Sequence, residues 1–165
     1  AFLQVAVTGI ADTIFHSLLW PLFMNVIPQG ATAGDAYALM GSATMLLDHA
    51  DNVNLLERIR SNGTPTFLAY GANDGVVPNG ASDRLISAVD LPLVGPQLAP
   101  IGVPHRTTGS DRVPADGWGA AQFWPTSAPE LAPFAAHLVF ADAGSEHALR
   151  EWLDGRLAAL GVASR

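Results

Sequence analysis

An aspartate and a histidine in this sequence have the types and positions that proton transfer requires. Asp74 lies in the stretch GANDGVVP, after an apolar run that ends at Tyr70, and His147 lies in the turn AGSEH, after the apolar run 137–141. A carboxylate that accepts a hydrogen bond from one imidazole nitrogen fixes the tautomer of the ring, and the other nitrogen then takes a proton from a nucleophile. We therefore predict that Asp74 and His147 act together as acid and general base.

Competing interpretations of these residues involve turn formation and two other histidines. The string Asn-Asp-Gly at 73–75 is a good turn former, but turn chemistry alone does not explain the strand before it and the Val-Pro and helix after it. His137 begins an apolar run and is interpreted as structural, while His105 lies in a proline-rich loop. No two histidines have metal-binding spacing and no calcium-loop pattern is complete, so we expect no metal and no cofactor.

The elements that must position Asp74 alternate between helix and strand. Asp51 and Gly63 are the predicted N-cap and stop of a helix whose inward side chains are Val53, Leu56 and Ile59. Residues 65–70, short, apolar and bounded by glycines, predict a buried parallel strand. Residues 79–89 then predict a helix that is capped by Asn79 and directs inward Leu85, Ile86 and Val89.

The periodic pattern disappears after Leu91 and returns near the end of the sequence. Eight of the twelve prolines lie between 91 and 133, so we interpret 91–136 as an insertion. Residues 137–141 predict a second buried strand, and the following helix carries one apolar stripe of Leu149, Trp152, Leu153, Leu157 and Leu160. Asp74 and His147 would then both follow the carboxyl ends of strands, where open α/β sheets hold their reactive groups.

The first 47 residues predict a helical segment that resembles a cap or lid, followed by an α/β portion at 48–165. Its most apolar stretch, 14–27, is too short to span a bilayer and is interrupted by Pro21. That stretch is interpreted as a buried helix or, alternatively, as a mobile lid over an apolar site. A break rich in glycine and alanine at 30–35 separates two predicted helices.

The composition excludes several classes of function. The formal charge is −7, and the eight lysines and arginines form no basic stripe, which argues against nucleic-acid binding. The absence of cysteine excludes disulfides, zinc-thiolate sites and a thiol nucleophile. With 49% hydrophobic and 14% charged residues, the polar surface is thin, so we expect part of the apolar surface to contact another polypeptide or a lipid-like ligand.

The pattern of strand, G-x-x-D-x-x-V-P, helix, histidine turn and closing helix resembles the C-terminal half of the α/β-hydrolase fold. The segments LLDHADNVNLLERI and TPTFLAYGANDGVVPN resemble large secreted bacterial lipases and esterases of that superfamily. The resemblance covers 46–90 well and 137–160 moderately. It implies a parallel sheet with flanking helices, carboxylic ester hydrolysis and secretion. It also implies that Asp74 is the triad acid and His147 the base, in the family order Ser, Asp, His.

The sequence departs from this family at the nucleophile. The elbow G-x-S-x-G is missing, and Ser42, in LMGSATM, has Met40 and Thr44 where the glycines belong. The resemblance therefore implies that an N-terminal hydrolase portion or a separate chain carries the serine and the oxyanion hole, and that the substrate is an apolar ester. A non-catalytic hydrolase-like interaction module, or a peptidase or thioesterase of the same fold, remains an alternative.

Overall fold

A computed structural model describes residues 1–4, 9–25, 27–47, 54, 56–124 and 132–162. In these residues a small parallel sheet is flanked by helices, which confirms the α/β class. The strands follow one another in space as β1-β2-β3, and they span Phe2–Gln4, Phe67–Gly71 and Gly119–Phe123. Leu68 of β2 is in register with Leu3 of β1 and Ala120 of β3.

The described helices are mostly short, and only two exceed eleven residues. They are α1 Ile10–His16, α2 Trp20–Met24, α3 Ala33–Leu47, α4 Leu56–Ser61, α5 Asn79–Val89, α6 Ala132–Ala135 and α7 Ala143–Ala159. A 3-10 helix, Ala136–Ala141, connects α6 to α7. None of the described helices combines the length and apolarity needed to cross a membrane.

Strand β2 forms the centre of the core, as its apolar sequence predicts. All five of its residues are buried, and successive side chains point to opposite faces of the sheet. Phe67 packs on one face in a cluster with Val94, Ala121 and Ala148. The opposite face packs against α5, whose predicted inward residues are all buried in a cluster of Leu56, Leu68, Tyr70, Leu85, Ile86, Val89, Leu91 and Ala120.

The second predicted strand is wrong, because residues 137–141 form most of the 3-10 helix. A parallel strand is covered on both faces, whereas Leu138 and Phe140 are 48% and 58% exposed. The strand lies instead at 119–123, inside the predicted insertion. Its first residue is glycine because an added β-carbon at Gly119 would lie 2.9 Å from Val94 and 3.0 Å from the Phe67 ring.

The proline-rich segment after α5 covers the outer edge of β3. The Val94 amide donates to the Ala120 carbonyl at 2.7 Å, and the Gln122 side-chain oxygen accepts from the amides of Leu98 and Ala99 at 2.7 and 2.9 Å. The first bond pairs a backbone carbonyl at the edge of the strand, and the other two satisfy a buried side chain of the strand. The segment is therefore fixed against the sheet over this stretch.

The predicted turn 143–147 is the first turn of α7. Asp142 caps this helix, because its Oδ1 accepts from the amides of Gly144 and Ser145 at 2.8 and 3.1 Å. The predicted apolar stripe is only partly packed. Leu149 and Trp152 are half-buried, whereas Leu153, Leu157 and Leu160 are 43%, 37% and 74% exposed.

The helix predicted before β2 is described only in part. The predicted cap Asp51 and the core residue Val53 lie outside the described residues. Helix α4 ends before Gly63, whose positive φ agrees with the predicted stop.

The first 47 residues contain both a strand and helices. β1 pairs with β2, so the segment predicted to be a helical cap also contributes to the sheet. The predicted buried helix within 14–27 is wrong, because the chain forms α1 and α2 there and no residue of α2 is buried. The large exposed side chains in this segment and in α3 are Leu18, Leu22, Phe23, Met24, Tyr37, Leu39, Met45 and Leu46.

Candidate functional site

Asp74 lies in the loop that connects the carboxyl end of β2 to α5. Asn73 adopts a left-handed backbone conformation with φ of 59°, which turns the chain immediately before the aspartate. The Asp74 side chain is only 2% exposed. Its Oδ1 accepts hydrogen bonds from the amides of Val76 and Val77 at 2.8 and 3.0 Å. One carboxylate oxygen is thus held by the loop itself, as in an Asx turn.

The other carboxylate oxygen contacts an imidazole. Nδ1 of His137 lies 3.1 Å from Oδ2 of Asp74, and the His137 side chain is 34% exposed. Because an ionised carboxylate only accepts hydrogen bonds, His137 must donate through Nδ1–H. In the neutral ring Nε2 is then the acceptor. The pair therefore has the arrangement in which a carboxylate orients a general base.

A close contact between two backbones brings His137 to Asp74. A β-carbon added to Gly71, the last residue of β2, would overlap the carbonyl group of Ala136. The 3-10 helix is anchored there by Ala136 and Val139, which are 1% and 3% exposed. Glycine at 71 therefore allows the backbone before His137 to lie directly on the end of the strand that precedes Asp74.

The structure gives Asp74 a different histidine from the one that the sequence predicts. His147 is exposed in the first turn of α7, and it borders a cavity of about 220 Å³ with Phe67, Phe123 and Glu151. Among the described residues, the Asp74 carboxylate bonds the amides of the 76–77 turn and the His137 ring. The predicted pairing of Asp74 with His147 is therefore replaced by a pairing with His137.

The difference has a traceable cause in the sequence. The predicted strand at 137–141 places His137 at the amino end of the strand and away from the loop of Asp74. Since the third strand is β3, at 119–123, His137 follows a strand instead of beginning one. Its place after a strand of small residues is the signal that sequence reasoning missed.

The other candidates from the sequence lie elsewhere. The Ser42 hydroxyl is on the exposed surface of α3, where it donates to the Ala38 carbonyl at 2.9 Å. Ser42 is therefore on a helix and not on a strand-to-helix turn. Nδ1 of His105 lies 3.1 Å from the Val103 carbonyl oxygen, within its own loop.

Asn79 does not cap α5 as predicted. Pro78 occupies the cap position, and no side chain there makes a capping bond. The Asn79 side chain turns back to the loop instead: Nδ2 donates to the Gly71 carbonyl at 2.8 Å, and Oδ1 accepts from the Asp74 amide at 3.2 Å. Asn79 is therefore part of the structure that holds Asp74.

A buried polar group lies on the α5 side of the sheet. Oδ2 of Asp83 accepts from the Gly102 amide at 2.8 Å, which ties α5 to the proline-rich segment. Burial raises the pKa of the Asp83 carboxyl, and the Gly102 bond and the charges of His105 and Arg84 only partly offset this. Burial also raises the pKa of the Tyr70 hydroxyl, with a further contribution from the nearby Asp83 charge.

Apolar side chains lie beside the Asp74 loop. The Leu18 amide, between α1 and α2, donates to the Gly75 carbonyl at 2.7 Å, so this part of the apolar segment is attached to the loop of the aspartate. Leu18 is 47% exposed, and Leu138, the residue after His137, is 48% exposed. The surroundings of the pair therefore include exposed apolar surface from two separate elements.

The described residues contain no group of three or more histidines, cysteines and acids that could hold a metal ion. The chain matches no protein-family model, and neither the curated proteins nor the solved structures gave a significant match. An interpretation of the site therefore depends on the Asp74–His137 geometry and on the resemblance in the sequence.

Proposed function

We propose that this chain supplies the acid and the base of a serine carboxylic ester hydrolase of the α/β-hydrolase type. The observation that carries the proposal is the 3.1 Å hydrogen bond between His137 Nδ1 and Asp74 Oδ2. The aspartate follows a central parallel strand and the histidine follows the next strand along the chain, which is the order in which this family arranges its acid and base.

The pair would act through the free nitrogen of His137. Asp74 accepts from Nδ1–H, and Nε2 takes the proton of a serine hydroxyl as its oxygen bonds to the ester carbonyl carbon. The imidazolium, stabilised by the Asp74 charge, then gives that proton to the departing alkoxide, which leaves an acyl-enzyme. Water attacks the acyl group with its proton passing to Nε2, and the serine oxygen regains a proton as the acid is released.

The serine in this proposal comes from a portion of polypeptide beyond these 165 residues, either N-terminal or a separate chain. The position of Ser42 on the surface of α3 supports this, because its hydroxyl is bonded within its own helix. The same portion would supply the donors that stabilise the oxyanion. We propose a secreted location on the resemblance alone.

An apolar ester is the proposed substrate. The support is the exposed apolar surface of α1 and α2 and the bond from Leu18 to Gly75, which attaches that surface to the Asp74 loop. An acyl group that rests there would bury apolar area of both partners, at about 25 cal/mol per Å² removed from water. Acyl chain length is thus expected to affect the affinity for the substrate.

The proposal is tested with a fluorophosphonate, which modifies only an activated serine. The protein is purified with whatever polypeptide accompanies it and is analysed by intact mass under denaturing conditions. We expect the adduct on a serine outside the 165 residues, with modification strongly slowed by Asp74→Asn and by His137→Ala. An adduct on Ser42, or modification at the wild-type rate in both variants, would contradict the proposal.

A second candidate function is a non-catalytic interaction module. It is favoured by the amount of large apolar surface that α2 and α3 expose, including Leu22, Met45 and Leu46 at 64%, 79% and 82%. This candidate predicts a specific protein complex in which no serine reacts with fluorophosphonate. A reactive serine in the complex would exclude it.

A further inference from the structure

We infer that Asn79 is a positioning residue that keeps the Asp74 carboxylate in hydrogen-bond contact with His137. The inference deepens the proposed function and its catalytic meaning rests on that function. Its structural content, however, concerns only contacts within the described residues and is testable without any activity.

The Asn79 amide connects the two ends of the Asp74 loop. Its Nδ2 donates to the carbonyl of Gly71 at 2.8 Å, and its Oδ1 accepts from the amide of Asp74 at 3.2 Å. Gly71 is the last residue of β2 and Asn79 is the first residue of α5. One side chain thus ties the aspartate backbone to both rigid elements that flank the loop.

The bonds of the Asp74 Oδ1 lie within the loop itself. This oxygen bonds the amides of Val76 and Val77, which belong to the same turn, so these bonds make the turn a compact unit. Backbone bonds also hold the neighbouring residues of the loop, from the Leu18 amide to the Gly75 carbonyl at 2.7 Å and from the Ala72 amide to the Phe123 carbonyl at 2.8 Å. Among the hydrogen bonds described for Asp74 itself, the one to Asn79 connects it to the end of β2, because Asn79 is itself bonded to Gly71.

The contact with His137 tolerates little displacement. Nδ1 and Oδ2 are 3.1 Å apart, near the long end of the range for hydrogen bonds between nitrogen and oxygen, about 2.7–3.2 Å. A tilt of the turn by a few tenths of an ångström in the wrong direction would therefore weaken the bond. Catalytic groups lose rate steeply when they are misplaced by small distances.

The chemistry of the position requires an amide. Asparagine offers a donor to the Gly71 carbonyl and an acceptor to the Asp74 amide at the same time. Aspartate has the same shape but would place an acceptor against the Gly71 carbonyl oxygen, and alanine would remove both bonds. Asn79→Asp and Asn79→Ala are therefore the informative variants.

The test reads the tautomer of His137 in the 165-residue chain, from the imidazole ¹³C and ¹⁵N chemical shifts at a pH where the ring is neutral. We expect the wild-type ring to be protonated on Nδ1, as bonding to Asp74 requires. Asn79→Ala should shift the population towards the Nε2–H tautomer, and Asp74→Asn should do the same. Asn62→Ala, at the exposed end of α4, is the control and should leave the signals unchanged.

The outcomes separate the inference from the proposed function. If Asp74→Asn changes the tautomer and Asn79→Ala does not, the positioning role is wrong. If Asn79→Ala fails to fold, the isosteric Asn79→Asp gives the same comparison, and an unchanged tautomer there overturns the inference as well. A tautomer change in the Asn79 variant without any fluorophosphonate-reactive serine would support the positioning of the pair and contradict the enzymatic function.

Discussion

The backbone of Ala136 lies where a β-carbon on residue 71 would be, so Gly71 and Ala136 meet with no room for a side chain between them. This contact joins the carboxyl end of β2 to the 3-10 helix that carries His137. It makes the geometry of the candidate site depend on a glycine that has no chemical role.

Gly71→Ala should therefore damage both the fold and the pair. The clash is with backbone, so the 3-10 helix must move, and overpacking of this kind lowers the free energy of unfolding by about 1–3 kcal/mol or more. Urea unfolding measures this loss, and the His137 tautomer reports the displacement. Gly80→Ala is the matched control: its β-carbon would meet open space in α5, where alanine favours the helix. Equal stability of the two variants would refute the explanation.

Asn73 gives a second test of the Asp74 loop. Its left-handed backbone, at φ of 59°, disfavours residues with a β-carbon other than asparagine and aspartate. We expect Asn73→Val to cost about 1–2 kcal/mol of unfolding free energy, whereas Asn73→Gly should be neutral within a few tenths. Because Asn73 is exposed, lost packing does not complicate the comparison. Chemical unfolding of the three proteins decides it, and a more stable valine variant would show that the turn is not as described.

Asp83 predicts a pH dependence of stability with a definite sign. Burial raises the pKa of its carboxyl in the folded protein, so the folded state binds this proton more tightly than the unfolded state does. The associated stability is present below the ordinary aspartate pKa and is lost as the pH rises through the raised value. The Asp83→Asn side chain has no acidic proton, so the variant does not lose this stability as the pH rises. Its amide oxygen can still accept from the Gly102 amide.

The unfolding free energy of Asp83→Asn minus that of wild type should therefore increase as the pH rises through this window. Urea unfolding at a series of pH values measures the difference. Tyr70, His105 and Arg84 also carry ionisable groups near Asp83, and the same series on a His105→Ala background isolates the contribution of His105. A difference that is constant or decreases with pH would show that Asp83 is not penalised by burial.

Strand β2 and helix α5 could be predicted from the sequence because each has a clear pattern. The run PTFLAY is apolar and bounded by glycines, and the inward residues of α5 recur at helical spacing. Together they correctly place Asp74 in a loop after a buried strand. The position of an aspartate beyond a strand end is thus a local property, set by residues close to it in sequence.

The partner of Asp74 could not be predicted, because it depends on contacts between distant residues. β3 has the sequence GAAQF, whose small residues give no strong strand pattern, and its glycine is explained by the nearby Phe67 and Val94 side chains. The apolar run 137–141 resembles a strand but packs as a 3-10 helix against the end of β2. Local pattern alone therefore favours His147 as the partner of Asp74, whereas the structure places His137 against it.

The most direct test of the central claim compares ester turnover by His137→Ala and His147→Ala variants of the protein that includes the serine-carrying portion. With p-nitrophenyl esters, we expect His137→Ala to lower kcat by about 10²–10⁴-fold, the range for loss of a general base, with KM little changed. His147→Ala should retain turnover close to that of wild type. Loss of turnover in His147→Ala together with an active His137→Ala variant would contradict the assignment of the base.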